Sequence, residues 1–480
     1  MPADVFRSQL SDSAVDGDWG DGESKTVLFI TSRFPPVASV GATRIRKFAK
    51  YLGQFGWRPV VITGAGPTSC SSDHSVRGAV DEETVLDLPR GLPVYRLSAA
   101  LDDLPTFLSR GYAARLYPAT QWLGMDRQAW EDALLWRFRR VHDWGSFPDS
   151  GVWRLASTVA LALRLHRHYR FRAIFSSGMP FSDHMIGMVI RRLLRRPWLA
   201  DFRDPWVEYI HDTQWNSPSR RRLTRMAEAA IVREASSVIS VNDHMTRRFT
   251  SRYPGRSRGK FVTITNGFDP ADFATGAERV PNQCFRMLYA GSLYKTRNPA
   301  SVLAAFRRFI KDTPGSQQHA RFDFLGRPGP FIKMLEAASD EGRVRYAGML
   351  PHREALRAVA EADLNVVLHP KIPGSACDTT TKIYECLGSG RPILAVVPLD
   401  GAAAAELRGF DGVTLCDPDD SVAISRGIAE WYHRWLAGED RVSRSDEALA
   451  PLTRRHQAGL LARCLDAAVG AKRYSEQGTR

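Results

Sequence analysis

The sequence predicts an α/β chain built from two doubly wound, Rossmann-like halves that face each other across an interdomain cleft. Three observations predict this. At 480 residues the chain is too long for one ordinary core and has room for two domains. Short apolar runs alternate with helical patterns, as parallel strands joined by right-handed crossovers do. The alternation breaks at the turn-rich segment Asn266-Gly267-Phe268-Asp269-Pro270 and then begins again.

The first strand is Thr26-Val27-Leu28-Phe29-Ile30, followed by a loop with Pro35, Pro36 and Gly41. Ile45, Phe48, Ala49 and Leu52 fall at helical spacing and predict a helix over 42–54. A second strand, 59–63, completes a strand–helix–strand unit. Strands at 173–176, 198–202, 237–241 and 261–264, with a helix over 183–194, complete the first half. In the second half the strands are 286–290, 322–325, 344–346, 364–368 and 392–396, with helices over 299–311 and 381–387. Sheets of this kind bind ligands beyond the carboxyl ends of their strands, so two of them define an interdomain site.

Residues 1–24 carry Asp, Gly and Ser without an apolar core and read as a disordered leader. The first domain spans 25–270, the second 271–445, and 446–480 reads as a C-terminal helix packing back on the first. Residues 100–155 interrupt the pattern with five of the twelve tryptophans, Trp122, Trp130, Trp136, Trp144 and Trp153, and read as a helical insertion. It forms either a satellite core or an aromatic, basic face toward a membrane. The six cysteines are scattered with no paired spacing, which gives no support to a zinc site and fits a reduced, cytoplasmic setting. No stretch is long and apolar enough to span a bilayer, so any membrane contact is peripheral. The net charge of +14 favours anionic partners. Between Ile186 and Lys260 there are 16 basic and 7 acidic residues, with clusters at Arg191, Arg192, Arg195 and Arg196 and at Arg220, Arg221, Arg222 and Arg225. This is either a solvated face or an attraction to an anionic inner leaflet. No nucleic-acid motif accompanies it.

Four segments carry candidate chemistry. Thr380, Thr381 and Lys382 enter a helix whose exposed N–H groups and positive dipole end suit a diphosphate, and Glu385, one turn on, suits ribose hydroxyls. Gly291 and Ser292 allow close backbone approach after a strand, and Lys295 and Arg297 supply cations for a departing nucleoside diphosphate. His184 falls in the first turn of a helix, where it would face the cleft and touch a sugar hydroxyl. Asp204 follows a strand end and is a candidate acceptor-site or catalytic carboxylate; Asp201 and Arg203 read equally as a structural pair.

Taken in order, Phe34-Pro35-Pro36 through Gly41, 176–184, 201–206, Asn266-Gly267-Phe268, 291–299 and 382–392 resemble the retaining glycosyltransferases of the group-1, or family-4, type, which have the GT-B fold. The resemblance runs from about Thr26 to Glu406. It implies that Gly41 approaches the donor diphosphate, His184 lies near the transferred sugar, and Lys295 and Arg297 hold the phosphates. Thr380, Thr381 and Lys382 would form the loop under the diphosphate, Glu385 would hold the ribose, and Met349 and Leu350 would read the base.

The chain departs from the family at one point. A second glutamate usually stands eight positions before the ribose glutamate, and Cys377 occupies that position here. The chemistry implied is front-face transfer with retention, driven by positioning and by stabilisation of the leaving diphosphate. It implies no metal and no cofactor, since cations and a helix terminus carry the charge. The expected partners are a nucleotide-sugar donor, a lipid-linked or glycan acceptor for cell-surface polysaccharide or glycolipid, and an anionic membrane surface. Competing expectations are a nucleotide-sugar epimerase and a catalytically silent subunit that binds a nucleotide or a partner.

Overall fold

The structure is a computed structural model that describes residues 25–37, 40–64, 81, 83–97, 146–208, 218–273, 282–372, 374–439 and 442–477. The expected leader, and the expected insertion up to residue 145 with four of its tryptophans, lie outside the described residues. Within the remainder of that insertion, Ser150–Arg154 is a 3-10 turn that leads into the helix Leu155–Tyr169.

The first domain holds seven strands: β1 (Lys25–Thr31), β2 (Trp57–Thr63), β3 (Val94–Arg96), β4 (Ala173–Gly178), β5 (Trp198–Phe202), β6 (Ser237–Ser240) and β7 (Phe261–Thr263). They pair in the order β3-β2-β1-β4-β5-β6-β7, every pair parallel. The second holds β8 (Phe285–Ala290), β9 (Ala320–Leu325), β10 (Val344–Tyr346), β11 (Leu364–Leu368), β12 (Ile393–Val396) and β13 (Val413–Cys416), in the order β10-β9-β8-β11-β12-β13, again all parallel. Both sheets reverse direction of growth between their first and fourth strands, and it is there that doubly wound sheets open a crevice. The edge strands β3 and β13 are absent from the sequence expectations; they are short and carry mixed, half-buried residues.

Each sheet has helices on both faces, which is why its central strands are apolar throughout rather than alternating. Leu28, Ile30, Val60 and Ile174 pack to one side of the first sheet, and Val27, Phe29, Val61 and Phe175 to the other. The helix expected over 42–54 is an α-helix only over Val40–Tyr51; Leu52–Phe55 tightens to a 3-10 turn that ends on Gly56 at φ 76°.

Two chain crossings join the domains, and they are bonded to each other. Phe268 N–H donates to Leu452 O at 3.1 Å, and Arg454 N–H donates to Phe268 O at 2.8 Å. A Cβ at Gly267 would stand 2.1 Å from Leu452 O, so close an approach requires glycine there. The linker is also clamped to the first helix. Asp269 accepts from Lys47 Nζ at 2.6 Å, Lys50 Nζ at 2.8 Å and Tyr51 OH at 2.8 Å. Asp87 and Asp272 close around the same Lys47 ammonium at 2.7 Å each.

After the second crossing the helix Arg454–Gln477 lies on the first domain. Its Ala458, Leu461, Ala462 and Leu465 join the core formed by Phe29, Phe48 and Phe175. Leu461 and Leu465 are fully buried, worth about 1.5–3 kcal/mol each. Lys25 pairs with Asp466 of this helix at 2.6 Å.

Candidate active site

On the second domain the site is built on the helix Thr381–Gly388. Thr380 is its N-cap, in extended conformation, with the hydroxyl oxygen accepting from Lys382 N–H at 3.4 Å. Such a cap orients the first turn's remaining N–H groups outward from the helix end. Thr381 is buried, and the buried Thr379 hydroxyl has no hydrogen-bond partner among the described residues. Lys382 Nζ pairs with Glu385 Oε2 at 3.1 Å. Burial works against both charges, yet the pair holds Lys382 above and Glu385 below their ordinary values. The helix ends against the linker: a Cβ at Gly388 would stand 2.4 Å from the Phe268 ring.

The loop after β8 lies beside it. Tyr289 OH donates to Ser292 O at 3.1 Å and would be 3.0 Å from a Cβ on Gly291, which accounts for glycine at 291. Burial raises the Tyr289 hydroxyl, while the charges of Arg297 and Lys382 act in the opposite direction. Arg297 and Lys382 thus converge on one phenol. Arg297 N–H closes a turn onto Tyr294 O at 2.8 Å, and its guanidinium lies 5.7 Å from the Tyr294 ring centre. Lys295 leaves the same turn exposed to solvent. Gly326, at φ 117°, lets the neighbouring loop pass directly beneath Gly291 O. Met349 is half exposed and Leu350 half buried after Gly348 at φ 72°.

His352, just beyond these two residues, was not singled out from the sequence. Burial lowers its pKa, Lys382 and Arg46 act the same way, and Glu385 and Asp272 oppose them. Its backbone N–H donates across the domains to Asp81 at 3.4 Å. Arg454 is a second such residue. It is buried where the C-terminal helix starts, with Arg44, Glu385 and Tyr384 in its field. A lone arginine beyond the second domain carries no sequence signal for this placement.

The first domain departs from expectation at three positions. His184 begins the helix Ser182–Leu194 as expected, but its ring is enclosed rather than turned to the cleft. Its Nδ1 lies 2.9 Å from Ser176 Oγ, which also accepts from Trp198 Nε1 at 2.8 Å; the other face meets Phe202. Burial depresses its pKa to about 3. Gly41 makes its close approach to the Arg203 guanidinium. Asp201 pairs with Arg44, at 2.8 Å and 3.1 Å, and accepts from Ser177 at 2.7 Å; Arg203 is not its partner. Asp204 is half buried just past the end of β5. At the glutamate position, Cys377 is buried and its carbonyl accepts from Asn242 Nδ2 of the first domain at 2.7 Å. Burial raises its thiol pKa, against a hydrogen bond from Arg248.

The basic residues divide. Arg220 is buried, donating to Pro148 O at 3.1 Å. Arg192 pairs with Glu234 at the surface, and Arg195 caps the same helix in left-handed conformation. That helix runs back along a parallel sheet, so its basic end lies away from the strand ends that carry the site.

No protein-family model matches the chain. Over 246 residues it is 27% identical to glycogen synthase from two strains of Mycobacterium tuberculosis, covering 48% of this chain and 55% of the relative. The chain thus spans about half the length of the curated relatives it matches. Among solved structures, α,α-trehalose-6-phosphate synthase from Burkholderia multivorans superposes with a TM-score of 0.56 at 16% identity, over 95% of this chain and 99% of that one. Anabaena HepE in complex with UDP and glucose gives 0.53 at 15% identity, over 94% and 100%. Sucrose-phosphate synthase from Thermosynechococcus elongatus gives 0.52 at 14%, over 95% and 100%. The chain is a GT-B-fold protein, homologous to glycogen synthase over part of its length and matched along most of it by GT-B glycosyltransferases.

Proposed function

We propose that this protein transfers a sugar from a nucleoside-diphosphate donor to an acceptor hydroxyl, with retention, in the synthesis of a cell-surface polysaccharide or glycolipid. The support is one group of side chains at the switch point of the second sheet. The capped start of the Thr381–Gly388 helix carries the part-buried Lys382–Glu385 pair, and Lys382 and Arg297 both act on the Tyr289 hydroxyl. In this reading helix N–H groups and two cations neutralise a diphosphate as it leaves, and Glu385 accepts from ribose hydroxyls. This chemistry calls on no metal and no cofactor. The structures of HepE with UDP and glucose concern a protein of the same fold and make UDP the first donor nucleotide to try.

The acceptor is lipid-linked or glycan, and the protein works in the cytoplasm, peripherally on the inner membrane face through its basic first domain. Among the described residues no helix is long and apolar enough to cross a membrane.

The test is incubation with UDP-, GDP-, ADP- and TDP-sugars and bacterial membranes, measuring free nucleotide and labelled lipid or glycan. Release coupled to labelling is expected for one donor. Nucleotide binding without turnover on any donor identifies a silent binding subunit instead. Glu385→Ala is expected to weaken nucleotide binding at least tenfold, by loss of charge-assisted bonds to ribose. Unchanged affinity would place the ribose elsewhere.

A further inference from the structure

Three first-domain segments meet at one side chain: the start of the Val40–Tyr51 helix at Gly41, the end of β4 and the end of β5. Arg203 leaves β5 and turns back onto β4. Its backbone N–H and its Nε each donate to Gly178 O at 3.0 Å, and Nη2 donates to Met179 O. The third nitrogen, Nη1, lies against Gly41: a Cβ there would stand 1.5 Å from Nη1 and 2.5 Å from Cζ. Of the carboxylates whose charge acts on it, Asp204 acts most strongly, and the other two have donors of their own. Asp201 holds Arg44 and Ser177, and Asp183 holds Ser32 and Arg154.

A guanidinium has five N–H groups in one plane and no acceptor. Main-chain carbonyls occupy its Nε edge and fix the plane, and the Nη1 hydrogens stay at Gly41, in the first turn of the first helix. This edge lies at the carboxyl ends of β1, β4 and β5, on the switch point between β1 and β4. A cation pre-set in that way binds phosphate oxygens in a fixed geometry and costs little reorganisation when negative charge develops on them.

We propose that Arg203 is the first domain's cation at the donor diphosphate, with its Nη1 hydrogens donating to phosphate oxygens, and that residue 41 is glycine so that this guanidinium can lie against the start of the first helix. The proposal rests on the transferase reading above. It also reassigns Gly41, which serves the ligand through Arg203 instead of touching it.

Calorimetric titration of the full chain with UDP, GDP, ADP and dTDP, and with the four matching nucleosides, tests this in wild type, Arg203→Lys and Gly41→Ala. Arg203→Lys keeps the charge and loses the fork; Gly41→Ala keeps the arginine and displaces it. For the diphosphate that wild type prefers, both variants are expected to bind at least tenfold more weakly, with nucleoside affinity changed less than twofold. Equal diphosphate affinity in Arg203→Lys and wild type overturns the assignment. So does a parallel loss of nucleoside binding, which marks a purely structural role, and so does a change confined to the acceptor KM. A wild-type chain that binds none of the four overturns the transferase reading and this assignment with it.

Discussion

Replacing Asp269 by Asn removes the charge at the centre of the clamp that holds the linker to the first helix. The carboxylate accepts from Lys47, Lys50, Tyr51 and Ala271 N–H, and the Lys47 side chain is only 1% exposed. Breaking a buried ion pair costs about 3–5 kcal/mol. Lys47 keeps Asp87 and Asp272, whose side chains are 19% and 22% exposed, so the lower end applies, about 3 kcal/mol. At about 2–4 °C per kcal/mol for a domain of this size, the transition containing the first domain falls by about 6–12 °C. The pH dependence follows from the sign of the shift. Burial alone would raise the Asp269 pKa, but Lys47 and then Lys50 and Tyr51 hold it below the usual carboxylate range. A depressed acid stabilises fully above the unfolded value, about 4, and loses that contribution as pH falls further. Differential scanning calorimetry at pH 7 therefore shows the full gap between wild type and variant, and at pH 3 a reduced one. A gap under about 3 °C at pH 7, or one equal at both pH values, would refute the clamp.

Three further outcomes are expected. Burial pushes the Glu406 carboxyl up to about 8, against the hydrogen bond that Tyr384 OH donates at 2.5 Å. The folded state then keeps a proton that the unfolded chain releases above about 4.5, so Glu406→Gln raises the Tm at pH 8 more than at pH 5, the gain in stability reaching about 3 kcal/mol at pH 7. His184 refuses a proton that the unfolded chain takes up below about pH 6.5, so this residue alone gives stability a downward slope worth about 2 kcal/mol between pH 6.5 and 5, read as the difference between wild type and variant. In His184→Asn that slope disappears, whatever the offset from lost packing, as urea titrations at the two pH values would show. Gly267→Ala places a methyl 2.1 Å from Leu452 O and 2.3 Å from Gln457 Nε2. It costs about 1–3 kcal/mol or more and speeds limited proteolysis at the two crossings; an unchanged digestion rate counts against the tight crossing.

The strands that carry the site were legible because each is a short, continuous apolar run, and a parallel sheet covered on both faces requires that. Of the four edge strands, β7 and β10 were expected and β3 and β13 were not; edge strands are short and half-covered, so they carry little of that signal. On the second domain, Thr380, Lys382 and Glu385 were readable as a capped helix start, and Gly291 as a close approach. Tyr289, which brings Arg297 and Lys382 together, was hidden inside an apolar strand, where an aromatic residue signals only core. The first domain misled in a different way. The position of His184 in its helix was correct, yet which way a first-turn side chain faces depends on Ser176 and Trp198, from two other strands. Gly41 was expected to approach the donor diphosphate, and the group that lies against it is the Arg203 guanidinium, 162 positions away in sequence.

The C-terminal helix bears on how the protein is made. Val27, Phe29 and Phe48 are among the first core residues to be synthesised, and Leu461 and Leu465, which complete their cluster, are added more than 400 residues later. At about 5–20 residues per second, that delay is on the order of 20–90 seconds on the ribosome. Over that interval the part of the first sheet's face beside the Val40–Tyr51 helix is an uncovered apolar surface, while the second domain, whose core clusters draw mainly on its own residues, is free to fold. The first domain is begun before the second and completed after it, so chaperone demand concentrates on the half whose core stays open longer.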